Sequence, residues 1–382
     1  MSREIQTTTI YTWRLNMGFS CGIVGLPNVG KSTICNALSN EQNAKAANYP
    51  FCTIEPNKAI VPVPDRRVDV LSKIVNTQKV IYTTMEFVDI AGLVQGASTG
   101  EGLGNQFLGN IRETEAILHV VRCFDDEDVI HVDGSVDPVR DVEIIELELV
   151  MADEQTVEKS IVGLAKKARF DKKVAAMVEE AHGLLKHLQD GEPASSYPNR
   201  DCYAMVEFFK QVRPLSAKDV IYVANVDEDG LDEQGDYVKK LKEYAATKGR
   251  DVITICAKME EDMTGLSDEE RHEFLKEYGV EESGLEKVIH AGYRTLGLVS
   301  YFTAGDIEAR AWTIHEGWTA PKAASVIHTD FERGFIKAEV VAYDDYVQHG
   351  GEAGAKSAGA LRIEGKDYIV KDGDVIHFRF NV

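Results

Sequence analysis

One stretch constrains this chain more than any other: Gly25-Leu26-Pro27-Asn28-Val29-Gly30-Lys31-Ser32, which reads G-x-x-x-x-G-K-S. A loop of that pattern turns tightly from a strand into a helix and aims its backbone N–H groups at a polyphosphate. Gly25 and Gly30 supply the conformational freedom, Lys31 reaches the terminal phosphates, and Ser32 offers its hydroxyl to Mg²⁺. The flanks agree. Cys21-Gly22-Ile23-Val24 is an apolar run suited to a buried strand, and Lys31 to Leu38 is helix-compatible, so a phosphate would sit on a helix N-terminus.

Further positions fall into place around that loop. Thr53, in the Pro-flanked stretch Asn48–Pro56, lies where such proteins place the first switch, so its hydroxyl is a candidate Mg²⁺ ligand. Thr83–Val88 reads as a strand ending in Asp89-Ile90-Ala91-Gly92, a D-x-x-G match. Asp89 would then reach Mg²⁺ through water, and the Gly92 N–H would meet the γ-phosphate. Leu93 follows, where a hydrolase of the Ras type has a water-orienting glutamine. A leucine cannot orient water, so hydrolysis needs another group. Ala116–Phe124 is another buried-strand run and contains His119 and Arg122. His131 lies just beyond it, and neither histidine stands out by pattern.

From about Val139 the composition turns helical. Val157, Ile161, Leu164 and Ala168 form one seam, and Val174, Met177, Ala181, Leu184 and Leu188 form a second. The polar turn between them predicts an antiparallel coiled-coil hairpin. Its tip carries Lys166, Lys167, Arg169, Lys172 and Lys173, which reads equally as a solvated face or as an RNA-facing patch.

The α/β pattern resumes after the Pro/Ser stretch 191–200. Val220–Ala224 is a strand ending in Asn225-Val226-Asp227-Glu228, where GTPases carry N-K-x-D. Glu228 is one methylene longer than the aspartate that pairs with guanine, and Val226 replaces the lysine. A site without that pairing cannot strongly reject adenine, so these residues favour ATP or relaxed binding. Beyond Ser300, Ala311–Ile314 and Ile336–Val341 read as strands around a short helix. The turn Lys371–Asp374 between Asp367–Val370 and Val375–Phe380 predicts a terminal β-hairpin in an interaction module.

Composition narrows the class. The 382 residues carry 63 acidic and 42 basic side chains, a formal charge of −21, which argues against a general nucleic-acid binder; only a local basic patch would override that field at close range, and no sequence-specific DNA partner is expected. No apolar run is long enough to span a bilayer. The six cysteines are scattered without a C-x-x-C pair, which fits a reducing cytoplasm and neither a disulfide framework nor structural zinc. Nothing in the pattern demands an oligomer interface, so a monomer is expected. Residues 1–16 lack the apolar core of a signal peptide and read as a disordered extension.

With these residues in place, the chain resembles the YchF subfamily of Obg-like P-loop ATPases from about Met17 to Val382. The stretches Gly25–Ser32, Asn48–Pro56, Asp89–Gln106, Asn225–Glu228 and Asp367–Val382 carry the likeness. The resemblance implies an α/β P-loop NTPase domain (17–138 and 211–300), an inserted α-helical hairpin (139–210), and a C-terminal β-grasp TGS domain (301–382). It implies Mg²⁺-dependent hydrolysis of ATP, with GTP weaker, and binding to the ribosome or its large subunit. Asn28, Val29, Gly30, Lys31, Ser32 and Thr33 would hold the phosphates, and Ser32 and Thr53 the Mg²⁺. Val226 would give the main-chain contact to adenine beside Asn225 and Glu228. His131 would take over the water-orienting role. Two other readings stay open: an Obg-type GTPase, and a non-catalytic ATP-gated adaptor on the ribosome.

Overall fold

The computed structural model describes residues 20–45, 58–89, 103–126 and 134–381. These divide into two compact units, the first drawn chiefly from 20–41 and 86–288 and the second from 60–85 and 289–381.

The first sheet contains β1 (Ser20–Val24), β2 (Lys58–Pro62), β4 (Thr84–Asp89), β5 (Ala116–Arg122), β6 (Asp219–Asn225) and β7 (Val252–Ile255), in the order β2-β4-β1-β5-β6-β7. Strands β4, β1, β5, β6 and β7 run parallel, with Ile23 opposite Asp89 and Val24 opposite His119. The two central strands, β1 and β5, are buried at every position, which is why they read as continuous apolar runs and do not alternate. A parallel register brings the C-terminal ends of all five strands to one edge. Ligands of open α/β sheets bind in the crevice outside that edge. Here Val24, Asp89, Arg122 and Asn225 end there together, and α1 (Lys31–Lys45) starts from the loop after β1.

Helices α2 (Arg66–Ile74) and α3 (Leu103–Glu113) precede the helical insertion, which comprises α4 (Pro138–Ala168), α5 (Lys172–Gln189) and α6 (Tyr203–Val212). Asp137 caps α4 and Pro138 opens it, a combination suited to a first helical turn. The two expected seams meet: Val157, Ile161, Val174, Met177, Ala181, Leu184 and Leu188 are buried in one cluster with Met205, Phe208 and Phe209 of α6. The root of α4 is fastened by buried polar groups. Asp153 accepts from the Leu215 and Ser216 N–H groups at 2.8 and 2.7 Å and from the Ser216 hydroxyl at 2.7 Å. Glu146 accepts from the Tyr222 hydroxyl of β6 at 2.5 Å and pairs with Arg250. Burial alone would raise the Glu146 carboxyl, but those donors outweigh it and hold it below the usual range. Helix α7 (Asp236–Lys248) precedes β7, and α8 (Ala257–Asp262), α9 (Asp268–Glu277) and α10 (Gly284–Thr295) follow it.

The second sheet contains β3 (Val80–Ile81) and β8 to β12 (Leu298–Ala304, Ala309–His315, Phe335–Ala342, Arg362–Glu364, Asp374–Phe380), ordered β11-β10-β12-β8-β9-β3. Two features differ from the sequence reading. Helix α2 and strand β3, read as part of the nucleotide-binding domain, pack in the second unit, as do 289–300, and β3 pairs in parallel with β9. The helical insertion 139–210 clusters with the first sheet and forms no compact unit of its own. The terminal hairpin also does not form. Its turn is present, with Gly373 at φ +85°, but β12 pairs with β10 and β8, and the upstream limb makes a single bridge, Thr319 to Ile369. Asp374 explains the change, because its carboxylate accepts from the Tyr368 hydroxyl at 2.7 Å and the Lys371 N–H at 2.9 Å. That limb is thus held by side-chain bonds in place of a ladder.

Candidate nucleotide-binding site

The cleft at the strand ends measures about 720 Å³ and lies within the first unit. Asn28, Gly30, Lys31, Ser32 and Thr33 line one end, and Val226, Glu228 and Lys258 line the other. Its loop is shaped by close approach. A Cβ on Gly25 would stand 2.4 Å from the Val120 carbonyl oxygen, and one on Gly30, at φ +97°, would stand 2.2 Å from the Asn225 amide nitrogen. Only glycine fits either position. Asn28 is itself left-handed at φ +62°, a conformation asparagine tolerates better than most residues.

Lys31 is buried, and its ammonium donates to the Leu26 carbonyl at 2.6 Å, folded back over its own loop. Burial pushes its pKa below the ordinary value, and the carboxylate of Asp89 opposes that fall. A phosphate would replace the Leu26 carbonyl with a full negative partner for the ammonium. Asp89 itself is half-buried, at the end of β4. Burial, and then the charge of that acid, push the Cys35 thiol far above its usual value, so it remains a neutral thiol. Ser32 is exposed at the first turn of α1. An exposed hydroxyl and a half-buried carboxylate are hard oxygen donors, and that donor set suits Mg²⁺.

Asn225, assigned to cofactor binding from its place in N-x-x-E, is also part of the scaffold of the cleft. It is buried, its amide nitrogen donates to the Val29 carbonyl at 2.9 Å, and its amide oxygen accepts from the Ala257 N–H at 3.0 Å. Each end of the side chain bonds backbone, so Asn225 fastens the phosphate loop to the chain after β7, with a second amide N–H left over. The Val226 N–H is likewise committed, donating to the Ile255 carbonyl at 2.9 Å. Glu228 is half-exposed and its carboxylate meets the Lys258 ammonium at 3.2 Å. Arg122, almost fully buried at the end of β5, donates to the carbonyls of Phe124 and Asp126 at 3.0 and 3.1 Å and so shapes the cleft wall. The sequence signal for it was an arginine closing an otherwise apolar strand. His119 is buried beneath the loop against Tyr222, and burial pushes its imidazole down to about 4, which makes it a neutral structural group. Thr53, Gly92 and His131 lie outside the described residues.

A loop of this shape, lying across parallel strand ends with its lysine retracted, is the signature of the P-loop nucleoside triphosphatases. Comparison with known proteins narrows the class. The family model described as 50S ribosome-binding GTPase matches residues 20–186, and YchF-GTPase_C, described as a protein of unknown function, matches 298–381. "Ribosome-binding ATPase YchF" of Haemophilus influenzae is 54% identical over 368 residues, covering 96% of this chain and 100% of that protein. The Bacillus subtilis protein of the same name is 52% identical over 369 residues, with the same coverage. The solved Schizosaccharomyces pombe YchF GTPase superposes with a TM-score of 0.83 at 38% identity, over 95% of this chain and 98% of that one. The chain belongs to the YchF family. Among the described residues no helix is long and apolar enough to cross a membrane.

Proposed function

We propose that this protein is a Mg²⁺-dependent ATPase, with weaker activity on GTP, that binds the ribosome through its large subunit and works in the cytoplasm. The observation that carries the base preference is the pairing of Glu228 with Lys258. Guanine offers donors at N1 and N2 that need a free carboxylate at a fixed distance, and here the carboxylate is both longer and already engaged. With the Val226 N–H spent, its carbonyl is the group left to accept the exocyclic amine of adenine. The names of the relatives, ribosome-binding ATPases, support the partner and the reaction.

In this reading Asn28 to Thr33 cradle the phosphates, and Lys31 leaves the Leu26 carbonyl to neutralise charge that builds on the transferring group. Ser32, Thr53 and Asp89 would hold Mg²⁺, which when bound supplies charge neutralisation at the phosphate oxygens. The Gly92 N–H positions the γ-phosphate, and His131 orients the attacking water in place of the glutamine that Leu93 cannot replace. The second unit serves as a TGS-type interaction module, and the protein acts as a monomer. A second reading, an ATP-gated adaptor with incidental turnover, is favoured by Leu93 alone.

Equilibrium binding of ATP and GTP with Mg²⁺, together with turnover of each with and without 70S ribosomes, separates the readings. ATP preference with ribosome-stimulated hydrolysis that falls in His131→Ala supports the ATPase. Tight GTP with weak ATP overturns the base argument, and ATP binding with turnover that ribosomes leave negligible favours the adaptor.

A further inference from the structure

The apex of the helical hairpin reads Lys166-Lys167-Ala168-Arg169-Phe170-Asp171-Lys172-Lys173, five cations and one acid in eight residues of an acidic protein. That acid is already employed: the Asp171 carboxylate caps α5, accepting from the Lys173 N–H at 2.9 Å and the Val174 N–H at 3.4 Å. Among the described residues none of the five cations forms an ion pair, although other basic groups of the chain find acids, as Arg250 finds Glu146 and Arg379 finds Glu339. All five are exposed. Charge is thus gathered at the apex and left without a partner.

Phe170 stands in the middle of that cluster with 92% of its surface exposed. It lies in the connection and outside both seams, so the packing of the hairpin does not account for it. Nor is it a loose side chain on a floppy loop. The Phe170 and Asp171 N–H groups both donate to the Lys167 carbonyl, at 3.0 and 3.1 Å, and Asp171 locks the next turn. The ring is held out on a hydrogen-bonded apex, which loses little freedom when it meets a partner.

An aromatic face flanked by cations suits a nucleic-acid strand with an unpaired base. Stacking takes the base, and the cations take the flanking phosphates. Duplex RNA hides its base faces and offers such a ring nothing. We infer that the apex is an RNA-docking point: Phe170 stacks on an unpaired ribosomal RNA base, and Lys166, Lys167, Arg169, Lys172 and Lys173 neutralise the phosphates around it. This inference rests on the ribosome-binding reading above and assigns that partner a definite contact.

The test uses the full chain with three probes: purified 70S ribosomes, a fluorescein-labelled RNA stem–loop beside a fully paired RNA of equal length, and phosphatidylglycerol vesicles. Phe170→Ala should weaken stem–loop and ribosome binding on the order of tenfold, leave the paired RNA unchanged, and retain the wild-type circular dichroism. Phe170→Trp should retain binding. Replacing Lys166, Lys167, Lys172 and Lys173 by glutamine should flatten the salt dependence by roughly 0.7 log units per lost phosphate contact. Equal ribosome binding by Phe170→Ala and wild type would overturn the apex assignment and leave the ribosome reading standing. Failure of the wild type to bind ribosomes would remove that reading itself. Loss of vesicle binding alone in Phe170→Ala would overturn the inference in favour of a lipid surface.

Discussion

Asn225 ties two loops together, and the strength of that tie can be worked out from its bonds. Asn225→Ala leaves the Val29 carbonyl and the Ala257 N–H buried without partners, at about 1–3 kcal/mol each, so the first unit should lose roughly 2–6 kcal/mol. Gly30→Ala acts on the same tie from the other side. Its φ of +97° costs a side chain about 1–3 kcal/mol, and the new Cβ, 2.2 Å from the Asn225 amide nitrogen, must expel that amide and break the same two bonds. The double variant loses those two bonds only once and should therefore fall short of the sum of the singles by about 2–6 kcal/mol. Urea unfolding followed by far-UV circular dichroism measures the cycle. In a Trp13→Phe background the remaining tryptophans, Trp312 and Trp318, lie in the second unit, so their fluorescence serves as an internal control that should not move. Affinity for a fluorescent ATP analogue should fall in both single variants. Strict additivity, or a change under about 0.5 kcal/mol in Asn225→Ala, would refute the argument that this side chain fastens the site.

Two further outcomes follow from the same chemistry. Glu260 on α8 is buried, accepts from the Gly284 N–H at 2.6 Å, and burial raises its carboxyl to about 7. The folded state therefore holds its proton more tightly than the unfolded chain, so stability is full below about pH 4.5 and falls as pH rises towards 7. Glu260→Gln should match wild type at pH 4.5 and exceed it by up to about 3 kcal/mol above pH 7; parallel stability curves would contradict this. At the base, Glu228→Asp together with Val226→Lys should shift the ATP-to-GTP affinity ratio towards GTP by at least about tenfold, and an unchanged ratio would sink the reading of Glu228.

Local pattern carried the phosphate loop, the strand that ends at Asp89 and both seams of the hairpin, because each is written within a few turns of chain. Asn225 shows where that legibility stops. Its place in N-x-x-E assigned it to cofactor binding, but its amide partner Val29 lies 196 residues away, and nothing local announces that tie. Arg122 is similar: it looks like core and instead steers a pair of carbonyls. Strand β3 is two residues long and finds β9 across more than half the chain, so its transfer to the second unit had no periodic signal. The missing terminal hairpin has the opposite cause. Asp372-Gly373 gave a genuine turn signal, but Asp374 and Tyr368 took the limb that should have paired. Thr53, Gly92 and His131 remain sequence assignments, and the activity measurements above bear on them.

Helix α4 is a single unbroken rod, and that makes it a lever. From Glu146, tied to Tyr222 three residues before Asn225, to its end at Ala168 it spans roughly 33 Å. With no joint along that length, a rotation of about 6° at the sheet becomes an arc of about 3.4 Å at the apex, the rise between neighbouring bases in a stacked strand. A motion too slight to open the cleft would thus be large enough to move Phe170 by one whole base.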